Sequence, residues 1–552
     1  MAVRAPLTAA ESALATGRWD EARAAYEIAL TGAETPEAHY GLANAQWWLG
    51  QNRESVASCT RAYALFRAEG NLTGAVQCAV WLCITYKANF ANFSAANGWI
   101  ARAERMLEGV DRGALHGWVA LARAYRMPDL DSAARLTDEA LAIALAEHDV
   151  DLELTALSQS GLIKVGQGSV VDGLTLVDEA MAAALAGEST SFDTVAYACC
   201  DMLNACELAS DIERASHWCR VADDFVARYG CPFLYAECRI FYGSVLAARG
   251  QWREAERELE AGLDITAGAC PGLHARACTR LADLRIRQGR LEEAAQLLSE
   301  LDTAVEAEGE VDVSIAALSL ARGDAAGASH HLEQRMRQLA DHRRAQVAAL
   351  DLLVDAALAV ADLAAAQAAA ARLDAFVDPT ADERTAMVAV GARGRVALAA
   401  GDRDSARADL DAALACWLRL ELPFEIARTR LELSRVDAAT NPDVAIDGAR
   451  RALSAFEELG AIRAADECAA QLRALGVVPR IGAKGVGQLT AREQEVLELL
   501  GHGLSNPEIA ARLHVSRKTA SHHVSNILAK LDLRNRADAA AYATRAVPSR
   551  DM

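Results

Sequence analysis

Along most of the chain, apolar residues return at three- and four-residue intervals inside alanine-rich stretches, and short polar breaks separate the stretches. That period predicts amphipathic helices one after another, each burying a single stripe. The breaks repeat a unit: Gly17-Arg-Trp-Asp-Glu-Ala22, Gly50-Gln-Asn-Arg-Glu-Ser55, Gly250-Gln-Trp-Arg-Glu-Ala255, Gly289-Arg-Leu-Glu-Glu-Ala294 and Gly401-Asp-Arg-Asp-Ser-Ala406. A weaker form stands at Gly323-Asp-Ala-Ala and Ala361-Asp-Leu-Ala. In this unit glycine ends one helix, a polar residue opens the next, and a small residue one turn in lets the paired helices approach. Between about 60 and 250 the unit is degenerate, with hints only at Asp129-Leu-Asp-Ser-Ala133 and Ser210-Asp-Ile-Glu-Arg-Ala215, and the register there stays open.

From Gly289 onward the breaks fall about 34 to 40 residues apart, a tetratricopeptide-like period. We therefore expect an all-α chain with a tetratricopeptide-like helical-repeat solenoid over 1–475. Residues 476–488, Gly-Val-Val-Pro-Arg-Ile-Gly-Ala-Lys-Gly-Val-Gly-Gln, are glycine-rich and without helical periodicity, and read as a flexible linker.

Beyond it the pattern changes to four short capped helices over 489–546. Thr490 is followed three residues later by Glu493, and Ser505 by Glu508, two capping boxes that fix helix starts. Val496, Leu497 and Leu500 share a face of the first helix, which stops at Gly501-His502-Gly503. Pro507 occupies the first turn of the second, where Ile509, Ala510 and Leu513 form the buried stripe. Ser516 is placed to cap a third helix with Ala520, Val524, Ile527, Leu528 and Leu531 on one side and Lys518, Ser521, His522, Ser525 and Ala529 on the other. Such a helix can lie in a major groove. The same face would also suit a helix that merely meets solvent.

The segments Leu-Thr-Ala-Arg-Glu-Gln-Glu-Val-Leu, Gly-Leu-Ser-Asn-Pro-Glu-Ile-Ala-Ala-Arg-Leu-His-Val-Ser-Arg-Lys-Thr and His-Val-Ser-Asn-Ile-Leu-Ala-Lys-Leu, with Arg-Asn-Arg-Ala-Asp-Ala-Ala, resemble the LuxR-type (NarL/FixJ-like) DNA-binding domain. The resemblance implies that the third helix reads bases, through Lys518, Ser521, His522 and Ser525. It implies that Ser505, Thr519, Lys530 and Arg536 approach phosphates, that His523 is structural, and that the fourth helix, about Ala537 to Thr544, forms a dimer contact. Ala520-Ser521 departs from the Val-Lys common in the family. That departure removes a cation from the reading face and predicts a shallower salt dependence.

Charge agrees with a boundary. Residues 480–552 hold 11 Lys and Arg against 7 Asp and Glu, net +4, while the rest holds 45 against 69, net −24. Large regulators of this type often carry an ATPase, but none of the five lysines follows a glycine, so no phosphate-binding loop can be written. The 13 cysteines include no Cys-x-x-Cys pair and read as buried helical thiols, with a redox-sensing thiol as the alternative. No metal motif or nucleophile elbow is present, and we expect neither enzyme activity nor a cofactor. Six of the nine tryptophans crowd the first 120 residues, and Trp47, Trp48 and Trp81 could line a partner or ligand groove rather than core. The amino terminus lacks an apolar export core, and the alanine-rich stretch at 346–372 is interrupted by Asp351, Asp355 and Asp362. We expect a cytoplasmic protein with no membrane partner.

These readings converge on a transcriptional regulator that binds promoter DNA as a homodimer. The repeat region would take a protein, peptide or small-molecule effector, and RNA polymerase would be a further partner. The alternative is a tetratricopeptide-type adaptor with weak or auxiliary DNA binding.

Overall fold

The computed structural model describes residues 4–125, 129–209, 211–268, 270–301, 309–337, 343–376, 383–477, 491–513, 517–530 and 535–546, together with Met127, Leu339 and Leu533. Among them every regular element is a helix: 25 between Arg4 and Ala474, and four more between Ala491 and Ala546. The fold is a tetratricopeptide-like solenoid of antiparallel helix pairs followed by a small helix-turn-helix domain. Residues 478–488 of the expected linker, and the capping residues Thr490 and Ser516, lie outside the described residues.

The recurring turn works as its sequence suggests. Gly17, Gly50, Gly250, Gly289, Gly323 and Gly401 all have φ between +71° and +89°, a left-handed conformation that glycine enters without a Cβ clash. Five residues after each stands a small residue, Ala22, Ser55, Ala255, Ala294, Ala328 and Ala406, and all six are 0% exposed against the partner helix. In the degenerate stretch left-handed glycines recur at Gly70, Gly109, Gly168, Gly187 and Gly230, but without the whole of the repeated unit. Asn71, Asn92, Asp129, Asp149 and Asp211 each cap a helix by accepting the backbone N–H three residues on, at 2.7–3.0 Å. Left-handed positions there fall partly on Ala91 (φ 47°) and His148 (φ 57°).

Ala361 holds the same place at φ 57° in an exposed turn. A left-handed L-residue costs roughly 1–2 kcal/mol, partly offset by the greater unfolded freedom of glycine. Ala361→Gly should therefore raise the thermal midpoint by an amount equivalent to about 0.5–1 kcal/mol. The reverse change, Gly401→Ala, should lower it, and both are read in one melting series.

The solenoid winds tightly enough for its coils to touch. Trp19 Nε1 donates to the Tyr229 carbonyl at 2.6 Å and Trp48 Nε1 to Asp193 Oδ1 at 3.1 Å. The Gly272 amide donates to the Asn89 carbonyl at 2.9 Å. Asn89 Nδ2 donates to Asn52 Oδ1 at 3.1 Å, and Asn52 Nδ2 lies 2.9 Å from Cys270 Sγ. A coil later the relation recurs, with a Cβ on Gly250 meeting Pro423 and Leu459, and Trp252 lying 5.9 Å from Phe424. One apolar core thus runs from Trp19 to Cys468, where an open solenoid would hold only neighbour-to-neighbour contacts.

This winding corrects the reading of Trp47, Trp48 and Trp81 as a recognition groove. They are 6%, 2% and 5% exposed. Trp48 stacks on Trp19 at 4.7 Å between ring centroids, Trp47 packs on Phe233 at 5.2 Å, and the Trp47 N–H is taken by Asn89 Oδ1 at 3.3 Å. Trp47 and Trp48, large rings with a satisfied N–H, fill the seam between coils, and Trp81 is buried in the same apolar core, so none presents a face to a ligand.

Candidate nucleic-acid interface

The last four helices, Ala491–Gly501, Asn506–Arg512, Arg517–Lys530 and Arg536–Ala546, close around a core of their own. Val496, Leu497 and Leu500 come from the first, Ile509 and Ala510 from the second, Ala520, Val524 and Ile527 from the third, and Ala539 and Ala543 from the fourth. The first helix stops as expected, with Gly503 at φ 79° and the Leu504 amide returning to the Leu499 carbonyl at 3.1 Å. Gly501 must be small, because a Cβ there would stand 2.8 Å from that of Ala543.

The second helix starts at a modified capping box. Glu508 Oε2 accepts both the Ser505 backbone N–H, at 2.7 Å, and the Ser505 hydroxyl, at 2.6 Å. Those two donors hold the Glu508 carboxyl below its usual range. The fourth helix is capped by Asn535, whose Oδ1 accepts the Asp538 amide at 3.0 Å. It begins with Arg536, whose guanidinium donates to Asn506 Oδ1 at 2.7 Å and to the Leu504 carbonyl. Arg536 therefore fastens the start of the second helix to the start of the fourth. Reading the sequence placed it only at a phosphate and missed this partnership, for which the paired Asn506 carried no local signal.

The third helix divides as its pattern predicts. Ala520, Val524 and Ile527 are at most 7% exposed, while Arg517, Ser521 and Ser525 are exposed and His523 is half-buried. The Ser525 hydroxyl donates to the Ser521 carbonyl at 3.1 Å, which leaves its lone pairs outward. Lys518, Thr519, His522 and Lys530 lie on this helix, but their side chains are outside the described residues. The structure thus brings Ser521 and Ser525 together on one open face, and places Ser505 and Arg536 beside each other at the neighbouring helix start.

No described helix is long and apolar enough to cross a membrane. Residues 487–543 match the model of the family described as bacterial regulatory proteins, luxR family. The transcriptional regulatory protein LnrK of Bacillus subtilis is 53% identical over 57 residues, 10% of this chain and 26% of that protein. The response regulator protein VraR of Staphylococcus aureus is 51% identical over 55 residues, again 10% and 26%. The chain thus spans about a quarter of the length of these curated relatives. Among solved structures, a chain of the APC/C hetero-tetramer Cut9-Hcn1 aligns with a TM-score of 0.45 and 14% identity, over 84% of this chain and 95% of that one. The small terminal domain is a LuxR-family helix-turn-helix domain, carried behind a tetratricopeptide-like solenoid.

Proposed function

We propose that this protein is a sequence-specific transcription regulator whose third C-terminal helix, Arg517–Lys530, enters the major groove of promoter DNA. The observation that carries the reading is the two-sided character of that helix, with Ala520, Val524 and Ile527 buried and Ser521 and Ser525 open. Small hydroxyl side chains let the backbone sit close to base edges and can donate to or accept from either base of a pair. Lys518 reads bases and, with Lys530, also supplies charge to the sequence-independent attraction, while Ser505, Thr519 and Arg536 position the backbone. His522 completes the base-reading set. The exposed Tyr542, on the fourth helix, gives that helix an apolar side chain suited to a homodimer contact. The proposed domain division, 1–475, 476–488 and 489–546, makes the solenoid the part that receives the effector and, through it, sets the access of RNA polymerase.

The test is recovery and sequencing of genomic fragments bound by the purified chain at two salt concentrations. A shared palindromic motif is the expected result, and no enrichment would move the reading to an adaptor. Replacing Lys518 and Lys530 by Ala should weaken binding to all sequences and reduce the salt slope by about 1 per lysine. His522→Ala should instead relax preference at a defined position, costing about 1–3 kcal/mol on the best site and little elsewhere. Equal losses on every sequence from all three changes would remove the division of roles.

A further inference from the structure

A partly open cavity of about 400 Å³ lies within the solenoid, lined mainly by alternate helices. Its lining comes chiefly from Phe192–Ala209, Pro232–Ala248, Pro271–Gln288, Glu310–Ala321, Arg343–Ala359, Glu383–Ala399 and Pro423–Asp437, with Trp252–Thr266 and Arg403–Arg419 contributing Leu259, Leu410 and Trp417. Its size falls within the range of pockets that hold small molecules, about 300–1,000 Å³. Its wall mixes arginines, carboxylates and aliphatic side chains.

Most of those charges are committed to holding helices together. Arg280 pairs with Glu207 at 2.6 Å and Glu310 at 3.1 Å. Arg428 reaches Asp355 at 2.6 Å and Asp351 at 3.5 Å, and Arg395 reaches Asp355 at 3.0 Å. Two opposite charges on Pro271–Gln288 differ from these. Asp283 accepts one side-chain hydrogen bond, from the Ser314 hydroxyl at 2.5 Å, and burial raises its carboxyl to about 6. Arg287 comes no nearer to a carboxylate than 3.9 Å, at Glu425, and rests its guanidinium over the Phe424 ring at 4.7 Å. No ion pair joins Asp283 to Arg287, although they stand one helical turn apart, with Cβ atoms about 5–6 Å from each other.

A carboxylate and a guanidinium so spaced, each with hydrogen-bonding capacity left, suit a ligand whose own opposite charges are as close. We propose that this cavity binds a free α-amino acid, with its ammonium on Asp283, its carboxylate on Arg287 and its side chain against Val313, Met387 and Val388. Arg287 can grip the carboxylate with two parallel N–H donors. A longer peptide fits this pair poorly, because its terminal charges separate by roughly 3.3–3.6 Å for each extended residue. The amino acid would be the effector of the regulation proposed above. That regulatory half rests on the transcription-regulator reading, whereas the binding half stands on the cavity alone.

Calorimetric titration of the full chain, without DNA, with each free proteinogenic α-amino acid tests the site. At least one should bind, and its N-acetyl and carboxamide derivatives should each bind about 10- to 100-fold more weakly, the scale of losing one hydrogen-bonded contact to a charged group. D283N and R287Q should lose the same amount while keeping wild-type helical content and wild-type recovery of genomic DNA. Failure of every free amino acid, or undiminished binding of both blocked derivatives or of D283N, overturns the proposal. Binding that leaves recovery of DNA fragments unchanged keeps the site and removes the effector role. The two readings thus fail separately.

Discussion

Replacing Asp201 by Asn should stabilise the protein at pH 8, by up to about 3–4 kcal/mol, and leave it unchanged or weaker near pH 4. Asp201, in Phe192–Ala209, is 2% exposed. Its Oδ2 accepts from the Tyr125 hydroxyl at 2.7 Å and the Ser158 hydroxyl at 2.7 Å. Burial raises the carboxyl from 3.8 to about 7, those two donors and the charge of Lys87 oppose the rise, and Glu237 adds to it. The folded pKa lies above the unfolded one, so the folded state holds the proton longer. The carboxyl costs nothing below about pH 4, loses stability progressively as pH rises from 4 to 7, and carries the full cost above 7. Each pH unit of displacement corresponds to 1.36 kcal/mol, which sets the upper bound. Asparagine keeps an acceptor for Tyr125 and Ser158 without the ionisation. Urea midpoints of the two proteins at pH 4 and pH 8 decide the matter. A variant less stable than wild type at both pH values would mean that the ionised carboxylate is held by more than these donors. Asp193, raised to about 6 by burial against the Trp48 N–H, should act in the same direction more weakly.

The sequence disclosed the helical periodicity, the glycine turns and the four-helix terminal domain because each is a local device. Gly17, Gly50, Gly250, Gly289 and Gly401 punctuate by backbone conformation, and a period of side chains shows which face is buried. The region from 60 to 250 was opaque for a physical reason. There the left-handed positions include Ala91 and His148, and helix starts depend on Asn71, Asn92 and Asp149, residues equally at home in any turn. The error over Trp47 and Trp48 has another cause. Burial came from Phe233, Phe192 and Asp193, contributed by a later coil, and no local pattern encodes a contact across 145 residues. At the terminal domain the buried stripe of the third helix was legible residue by residue, but the anchoring of Arg536 on Asn506 was not, since it joins two helix starts 30 residues apart. The cavity beside Asp283 was likewise invisible, because its lining is gathered from nine helices.

The degenerate region also holds a helix contact made backbone to backbone, and the second large effect is expected there. Gly161, in Val150–Gly166, and Gly173, in Val170–Ala186, pack backbone to backbone: a Cβ on Gly161 would stand 2.6 Å from the Gly173 carbonyl oxygen, and one on Gly173 2.5 Å from that of Gly161. Helix propensity alone favours Gly→Ala by about 1 kcal/mol. Here sterics must win, because neither obstructing atom is the end of a flexible side chain and the helices would have to part. Gly161→Ala and Gly173→Ala should each destabilise by a net 1–3 kcal/mol or about that, the cost of overpacking a tight contact. Gly98, in the exposed face of Phe93–Met106, meets nothing within 4 Å. The same substitution there should raise stability by about 0.5–1 kcal/mol. Because one separation of the two helices relieves both clashes, the double variant Gly161→Ala/Gly173→Ala should lose clearly less than the two single losses combined. Chemical denaturation of the four proteins measures this coupling, and strictly additive losses would show that the two glycines do not share a single contact.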